Sequence, residues 1–269
     1  MAISPSSRIS SPARATLAVG SGKGGVGKST ISLNLALALA ETGAKVGLCD
    51  ADVYGPDIPR MVNVARKKRT RSWDLWRSED AGGMRLPPVE IYGLKIMSTG
   101  FLMGEDQSLE MGAELIDLIV RQFLEDVDWG ELDFLVFDLP PGTADLQRHL
   151  MRRVSFTGAL LVVTPQDVAH LDARKAVSMY RGAGVKVIGA IENMSWLKCP
   201  HCDERVQLFP IVTPERAIWS MGVDKLGELP MDLAMAQAGD AGRPLLIADP
   251  DSQQSHTFRQ IATRVADLL

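Results

Sequence analysis

Cysteine is scarce, at three residues in a chain of 269. A disulfide framework needs a denser, paired set, so three thiols point to a reducing, cytoplasmic setting. No run of 18 apolar residues occurs, which leaves no segment for a helix across a bilayer. A strong excess of one charge is missing too. The formal net charge is −4, and slight acidity argues against general nucleic-acid binding. Met1–Ala15 has no acidic residue and no apolar core, so it does not read as a secretory signal peptide. Its Ser, Pro, Ala and Arg predict a disordered tail, with an organelle-targeting remnant as the other reading.

What is present is an alternation of short apolar runs and helical patterns, in a chain that is 46% hydrophobic. Strands are expected at Leu17–Gly20, Val46–Cys49, Leu94–Ser98, Asp133–Phe137, Ala159–Val163, Val185–Ile191 and Lys225–Leu229. Helices are expected at Ile31–Ala40, Met111–Phe123, Val168–Tyr180 and Thr257–Leu269. This order predicts an α/β fold, a doubly wound, mainly parallel sheet with flanking helices, in one domain over residues 16–269. Ligands of such sheets sit beyond the carboxyl ends of the strands. Gly20–Thr30, Asp50, Asp52, Asp138 and Asn193 all fall at or just after such ends.

Gly22-Lys23-Gly24-Gly25-Val26-Gly27-Lys28-Ser29 fits the phosphate loop G-x-x-x-x-G-K-[ST], between a strand and a helix as that motif requires. Its glycines let backbone N–H groups turn inward around phosphates, and the helix adds the positive end of its dipole. Lys28 is placed to reach the β- and γ-phosphates of ATP, and the Ser29 hydroxyl to ligate Mg²⁺. Lys23 is not demanded by the motif; it is either a surface lysine or a second cation aimed at a nucleotide, its own or a neighbouring subunit's. Asp138 ends an apolar strand as a Mg²⁺-side carboxylate should. Pro140-Pro141-Gly142-Thr143 follows as a stiff turn. Asp50 and Asp52 follow the second strand, where one can support Mg²⁺ and the other orient an attacking water, or where both simply cap helices or turns.

Two segments stand apart. Arg66–Arg71 is basic at five of six positions, with Trp73 and Trp76 after it, and reads as a solvated loop or a nucleic-acid contact. Cys199-Pro200-His201-Cys202 lies in an insertion at about residues 196–208. Two thiols at this spacing suit a zinc or an iron–sulfur cluster shared across a dimer, or a redox dithiol. His201 is a further possible ligand or an exposed hairpin tip, and Cys49, inside an apolar strand, reads as a small core residue.

The loop Lys23–Thr30 resembles the deviant Walker A loop of the MinD/ParA/nitrogenase iron-protein superfamily. Asp50-Ala51-Asp52-Val53-Tyr54-Gly55-Pro56, Asp138–Thr143, Val163-Thr164-Pro165-Gln166, Glu192-Asn193-Met194-Ser195 and Cys199–Cys202 together resemble the Mrp/ApbC iron–sulfur cluster carrier ATPases, over roughly Ala15 to Ile247. The resemblance implies a homodimer around two ATP molecules, with Lys23 crossing to the partner's nucleotide. It makes Gly22 through Thr30 the nucleotide loop and Lys23, Lys28 and Asp52 the hydrolytic residues. Ser29, Asp50 and Asp138 become the Mg²⁺ side, and Asn193 with the stretch at Pro230 the adenine contacts. Cys199 and Cys202 from two subunits would bridge one [4Fe–4S] cluster for delivery to apo iron–sulfur proteins. Leu208–Val212 stands where the family usually has Phe-Gly-x-Gly-Gly. The competing readings are a MinD/ParA-like positioning ATPase without a cluster and an ATP-dependent ligase. The closing helix lacks the lysine-rich face of a membrane anchor, and no substrate pocket for a ligase is legible.

Overall fold

A computed structural model of the chain describes residues 8–64, 85–101, 113–142, 145–199, 201–202 and 204–269. The basic run Arg66–Arg71 with Trp73 and Trp76, and the positions Met111, Thr143 and Pro200, lie outside the described residues.

The elements run β1 (Ala13–Ser21), α1 (Lys28–Glu41), β2 (Val46–Asp50), α2 (Ile58–Met61), β3 (Val89–Ile91), β4 (Leu94–Ser98), α3 (Ala113–Glu125), β5 (Leu132–Asp138), α4 (Asp145–Arg153) and β6 (Gly158–Val163). They continue as α5 (Asp167–Gly182), β7 (Val187–Glu192), β8 (Leu197–Lys198), β9 (Arg205–Val206), β10 (Lys225–Glu228), α6 (Leu233–Asp240), α7 (Leu245–Ala248) and α8 (Gln253–Leu268). Eight strands form one sheet in the order β10-β7-β6-β1-β5-β2-β4-β3, parallel throughout except for the β3–β4 pair.

The expected doubly wound sheet is therefore present, and alternate residues of each strand supply its two apolar faces. Leu17, Val19, Val136, Leu160 and Val162 pack with α1, α7 and α8. Ala18, Leu135, Phe137, Leu161 and Val163 pack with α3, α4 and α5 on the other side. α1 is apolar around most of its circumference because it is covered on both sides, with Ile31 through Leu39 all buried. Trp129 closes the lower end of the second layer, its Nε1 donating to the Phe123 carbonyl at 2.6 Å.

Of the disordered tail expected over Met1–Ala15, residues 8–15 are described and are ordered, while residues 1–7 lie outside the described residues. Ile9 is buried and bridges to Val154, its N–H donating to the Arg153 carbonyl at 2.7 Å, and β1 already begins at Ala13. Burial of one isoleucine and this backbone bond hold the segment down from Arg8 onward.

The two margins of the sheet are finished differently. β3 is three residues long and turns back from β4 through Tyr92 and Gly93, both with positive φ, the twist that suits a two-residue hairpin. At the other margin, Arg264 of α8 donates to the Leu226 carbonyl at 2.7 Å and to the Lys225 carbonyl at 3.3 Å. Among the described residues, no helix is long and apolar enough to cross a membrane.

Candidate functional site

The loop between β1 and α1 does what its glycines require. Gly25 and Gly27 take φ of 75° and 84°, a region that side chains with a Cβ seldom enter. A Cβ on Gly27 would also overlap the Asn193 amide. Lys23 through Thr30 line a cleft of about 600 Å³ at the carboxyl ends of the strands. Gly22 is turned elsewhere, onto the backbone of α5 at Asp172 and Ala173, where no Cβ would fit.

Beneath the loop sits a buried ionic cluster. Lys28 Nζ donates to Asp138 Oδ1 at 2.8 Å and lies 3.9 Å from Asp52 Oδ2. The Ser32 hydroxyl donates to the same Asp138 oxygen at 2.7 Å. The register of the sheet brings the acids together, because Asp138 pairs with both Val19 of β1 and Asp50 of β2. Asp138 Oδ2 is buried and has no hydrogen-bond partner among the described residues. Such an orphaned carboxylate oxygen is a costly feature unless a further positive group or water reaches it.

The acids after β2 divide in role. Asp50 is fully buried; its Oδ2 accepts from Ser98 Oγ at 2.8 Å and its Oδ1 from the Asp52 N–H at 3.2 Å. Burial, reinforced by the Asp138 charge, pushes its carboxyl well above the usual range. Asp52 reaches the cleft itself. Burial outweighs the attraction of Lys28 there and raises the Asp52 carboxyl to about 6. Asp52 is thus the acid in position to meet a ligand, and Asp50 a buttress that fixes its backbone.

Asn193 approaches from the end of β7, its Nδ2 donating to the Val26 carbonyl at 2.8 Å while its buried Oδ1 has no partner among the described residues. Lys23 turns the other way, toward Gln166 at 2.5 Å. Pro230, expected beside adenine, lines a separate recess with Trp196 and Arg205 instead. The phosphate-loop cleft is lined further by Met194, by Met235, Gly239 and Asp240 of α6, and by Arg60 and Met61 of the adjoining α2. The residues from α2 and α6 carried no signal in the sequence, because both helices are too short for a legible helical period and reach the cleft only through tertiary packing.

The second set of residues stands on a small hairpin. β8 and β9 pair antiparallel, and the Cys199 N–H donates to the Glu204 carbonyl at 2.9 Å to close the turn. Cys199 is half-buried and Cys202 exposed, neither in a disulfide; His201 is exposed beside them. Trp196 and Arg205 brace the base of the hairpin, the guanidinium 4.3 Å above the ring centroid. Among the described residues of one chain, no group of three or more His, Cys, Asp or Glu could hold a metal ion, so the hairpin by itself offers two thiols. Cys49 is buried in β2, and burial pushes its thiol well up.

Known proteins resemble this chain over most of its length. The chain is 44% identical over 247 residues to the iron-sulfur cluster carrier protein of Aquifex aeolicus, an alignment that covers 91% of this chain and 65% of that protein. It is 38% identical over 249 residues to the iron-sulfur cluster transfer protein NUBPL of Dictyostelium discoideum, covering 93% and 75%. The chain spans about two-thirds of the length of the first relative and three-quarters of the second. Among solved structures, the nucleotide-binding protein of Archaeoglobus fulgidus in complex with ADP superposes with a TM-score of 0.73 at 34% identity, covering 92% of this chain and 93% of that one. Residues 13–266 match the ParA family model described as NUBPL iron-transfer P-loop NTPase, and the chain belongs to that family.

Proposed function

We propose that this chain is an ATP-hydrolysing carrier that holds a [4Fe–4S] cluster between two copies of itself and passes it to apo-proteins in the cytoplasm. The observation that carries this reading is the combination of a complete phosphate loop and a two-thiol hairpin, both at the carboxyl ends of the same sheet. The names of the Aquifex and Dictyostelium relatives support it. A [4Fe–4S] cluster takes four thiolates, and one chain presents two on its hairpin, so a second copy completes the set.

At the nucleotide, the inward N–H groups of Gly24 through Lys28 bind phosphate oxygens, and Lys28 exchanges part of its contact with Asp138 for the β- and γ-phosphates. Ser29, the orphaned Asp138 oxygen and Asp50 behind it fit the Mg²⁺ side of the cleft, where the metal would neutralise phosphate charge. Asp52 orients the attacking water as a carboxylate. Lys23 adds positive charge from across the dimer, and Asn193 holds the purine side. Anaerobic reconstitution with iron and sulfide tests the carrier role. A brown dimer with about four irons is expected. A colourless monomer that sediments with liposomes or DNA would overturn it.

The raised carboxyl of Asp52 sets a pH dependence. Its ionised form does the work, so turnover is expected to fall as pH drops through about 6, the value to which burial raises it. Asp52→Asn should retain ATP and hydrolyse it at least about tenfold more slowly, with that inflection gone from the kcat profile. Phosphate release at the wild-type rate would transfer the role to another residue, Asp50 first.

A further inference from the structure

We propose that Gln166 is a positioning residue for Lys23, holding its ammonium in place while leaving its charge undiminished; this rests on the reading that Lys23 acts on nucleotide. The Lys23 backbone is already fixed. Its carbonyl accepts from Ser21 Oγ at 2.8 Å, and the adjacent Gly22 lies flat on α5. Only the side chain has a choice, and its Nζ donates to Gln166 Oε1 at 2.5 Å. Among the described residues, no carboxylate forms an ion pair with Lys23, whereas Lys28 in the same loop engages Asp138 and Asp52.

The location makes this contact necessary. Gln166 is the residue immediately before α5, and a helix start carries partial positive charge that repels an ammonium. The one acid of the first turn, Asp167, is occupied by Arg216 at 2.5 Å. The amide oxygen is what offsets the repulsion and keeps Lys23 from swinging into solvent. A neutral acceptor also suits the task. A carboxylate at this position would form an ion pair and hold the cation at home, while an amide gives it direction and releases it when a phosphate arrives. The Gln166 side chain caps no N–H of α5, so replacing it removes no bond that the helix depends on.

The test is a double-mutant cycle on the full chain, read as kcat and KM with radiolabelled ATP and as ATP affinity by calorimetry. Gln166→Met keeps the shape and loses the acceptor; Gln166→Glu adds the charge. Each is expected to lower kcat about tenfold while ATP affinity stays within about twofold. In a Lys23→Ala background, itself slowed in hydrolysis with ATP binding spared, neither should have any further effect. If the Gln166 substitutions cost the same factor with and without Lys23, or leave kcat unchanged in its presence, the positioning role is wrong and the Lys23 reading stands. If Lys23→Ala alone turns over at the wild-type rate, the reading beneath it fails and the proposal with it.

Discussion

Replacing Lys28 by alanine is expected to weaken ATP binding by at least about a hundredfold, which corresponds to roughly 2.7 kcal/mol. The ammonium is the charge nearest the site of the terminal phosphates, and bonds to charged partners contribute about 1.5–3 kcal/mol each. The structure adds a second consequence. Lys28 is buried, 6% exposed, and is the cation paired with the fully buried Asp138. Its loss leaves Asp138 and Asp50 facing each other without a counter-charge, and breaking a buried pair costs about 3–5 kcal/mol. Lys28→Ala should therefore melt measurably earlier than the parent as well as fail to bind. Lys28→Arg separates the two effects. It keeps the charge for Asp138, so most of the stability should return, while the bulk of its guanidinium obstructs the phosphate site. Calorimetry below the melting transition checks both, and ATP affinity unchanged in Lys28→Ala would refute the site.

The other large effect concerns the hairpin. Cys199→Ser and Cys202→Ser should each abolish the visible absorbance of the reconstituted cluster rather than halve it. A single substitution removes one thiolate from each of two subunits, and the remaining pair cannot hold four irons firmly. ATP binding should be untouched, because neither cysteine lines the nucleotide cleft and the hairpin is closed by a backbone bond that serine preserves. Loading should tighten the parent dimer, since a group bound only by the assembled pair stabilises it by mass action. Cys49→Ala, in the core of β2, should alter neither cluster nor dimer. Iron and sulfide content, measured beside sedimentation of the same samples, decides the matter. About four irons and four sulfides per dimer support the bridged cluster. About one zinc per dimer without sulfide would leave a structural metal in its place.

The strongly patterned parts of the fold were legible in the sequence. Leu94–Ser98 is a strand over the expected residues, and α1, α5 and α8 differ from expectation only at their ends, where caps rather than periodicity decide. β3 was missed because three residues are too few to show alternation and its turn is formed by Tyr92 rather than by Asn or Asp. α4 was missed because its buried positions, Gln147, Leu150 and Met151, share nine residues with five charged or histidine residues. At the site, the loop and its acids were readable because each ends a strand. The walls of the cleft were not, since α2 and α6 reach it from distant parts of the chain. That Pro230 borders another recess than the phosphate loop was not legible either, since position after a strand gives direction along the sheet and says nothing of which recess the next residues border. The bond from Lys23 to Gln166 spans 143 positions and has no counterpart in any local pattern.

The finished margins of the sheet bear on how copies of this chain can meet. Many proteins associate by laying one edge strand against another and extending a shared sheet. Here β3 offers too short a ribbon at one end, and at the other the Leu226 carbonyl that an incoming strand would need is already taken by Arg264. Lateral growth into filaments is thereby discouraged. The second copy that the carrier reading calls for is therefore placed, in that reading, on the loop-bearing rim with the phosphate loop and the hairpin, where contact need not extend the sheet.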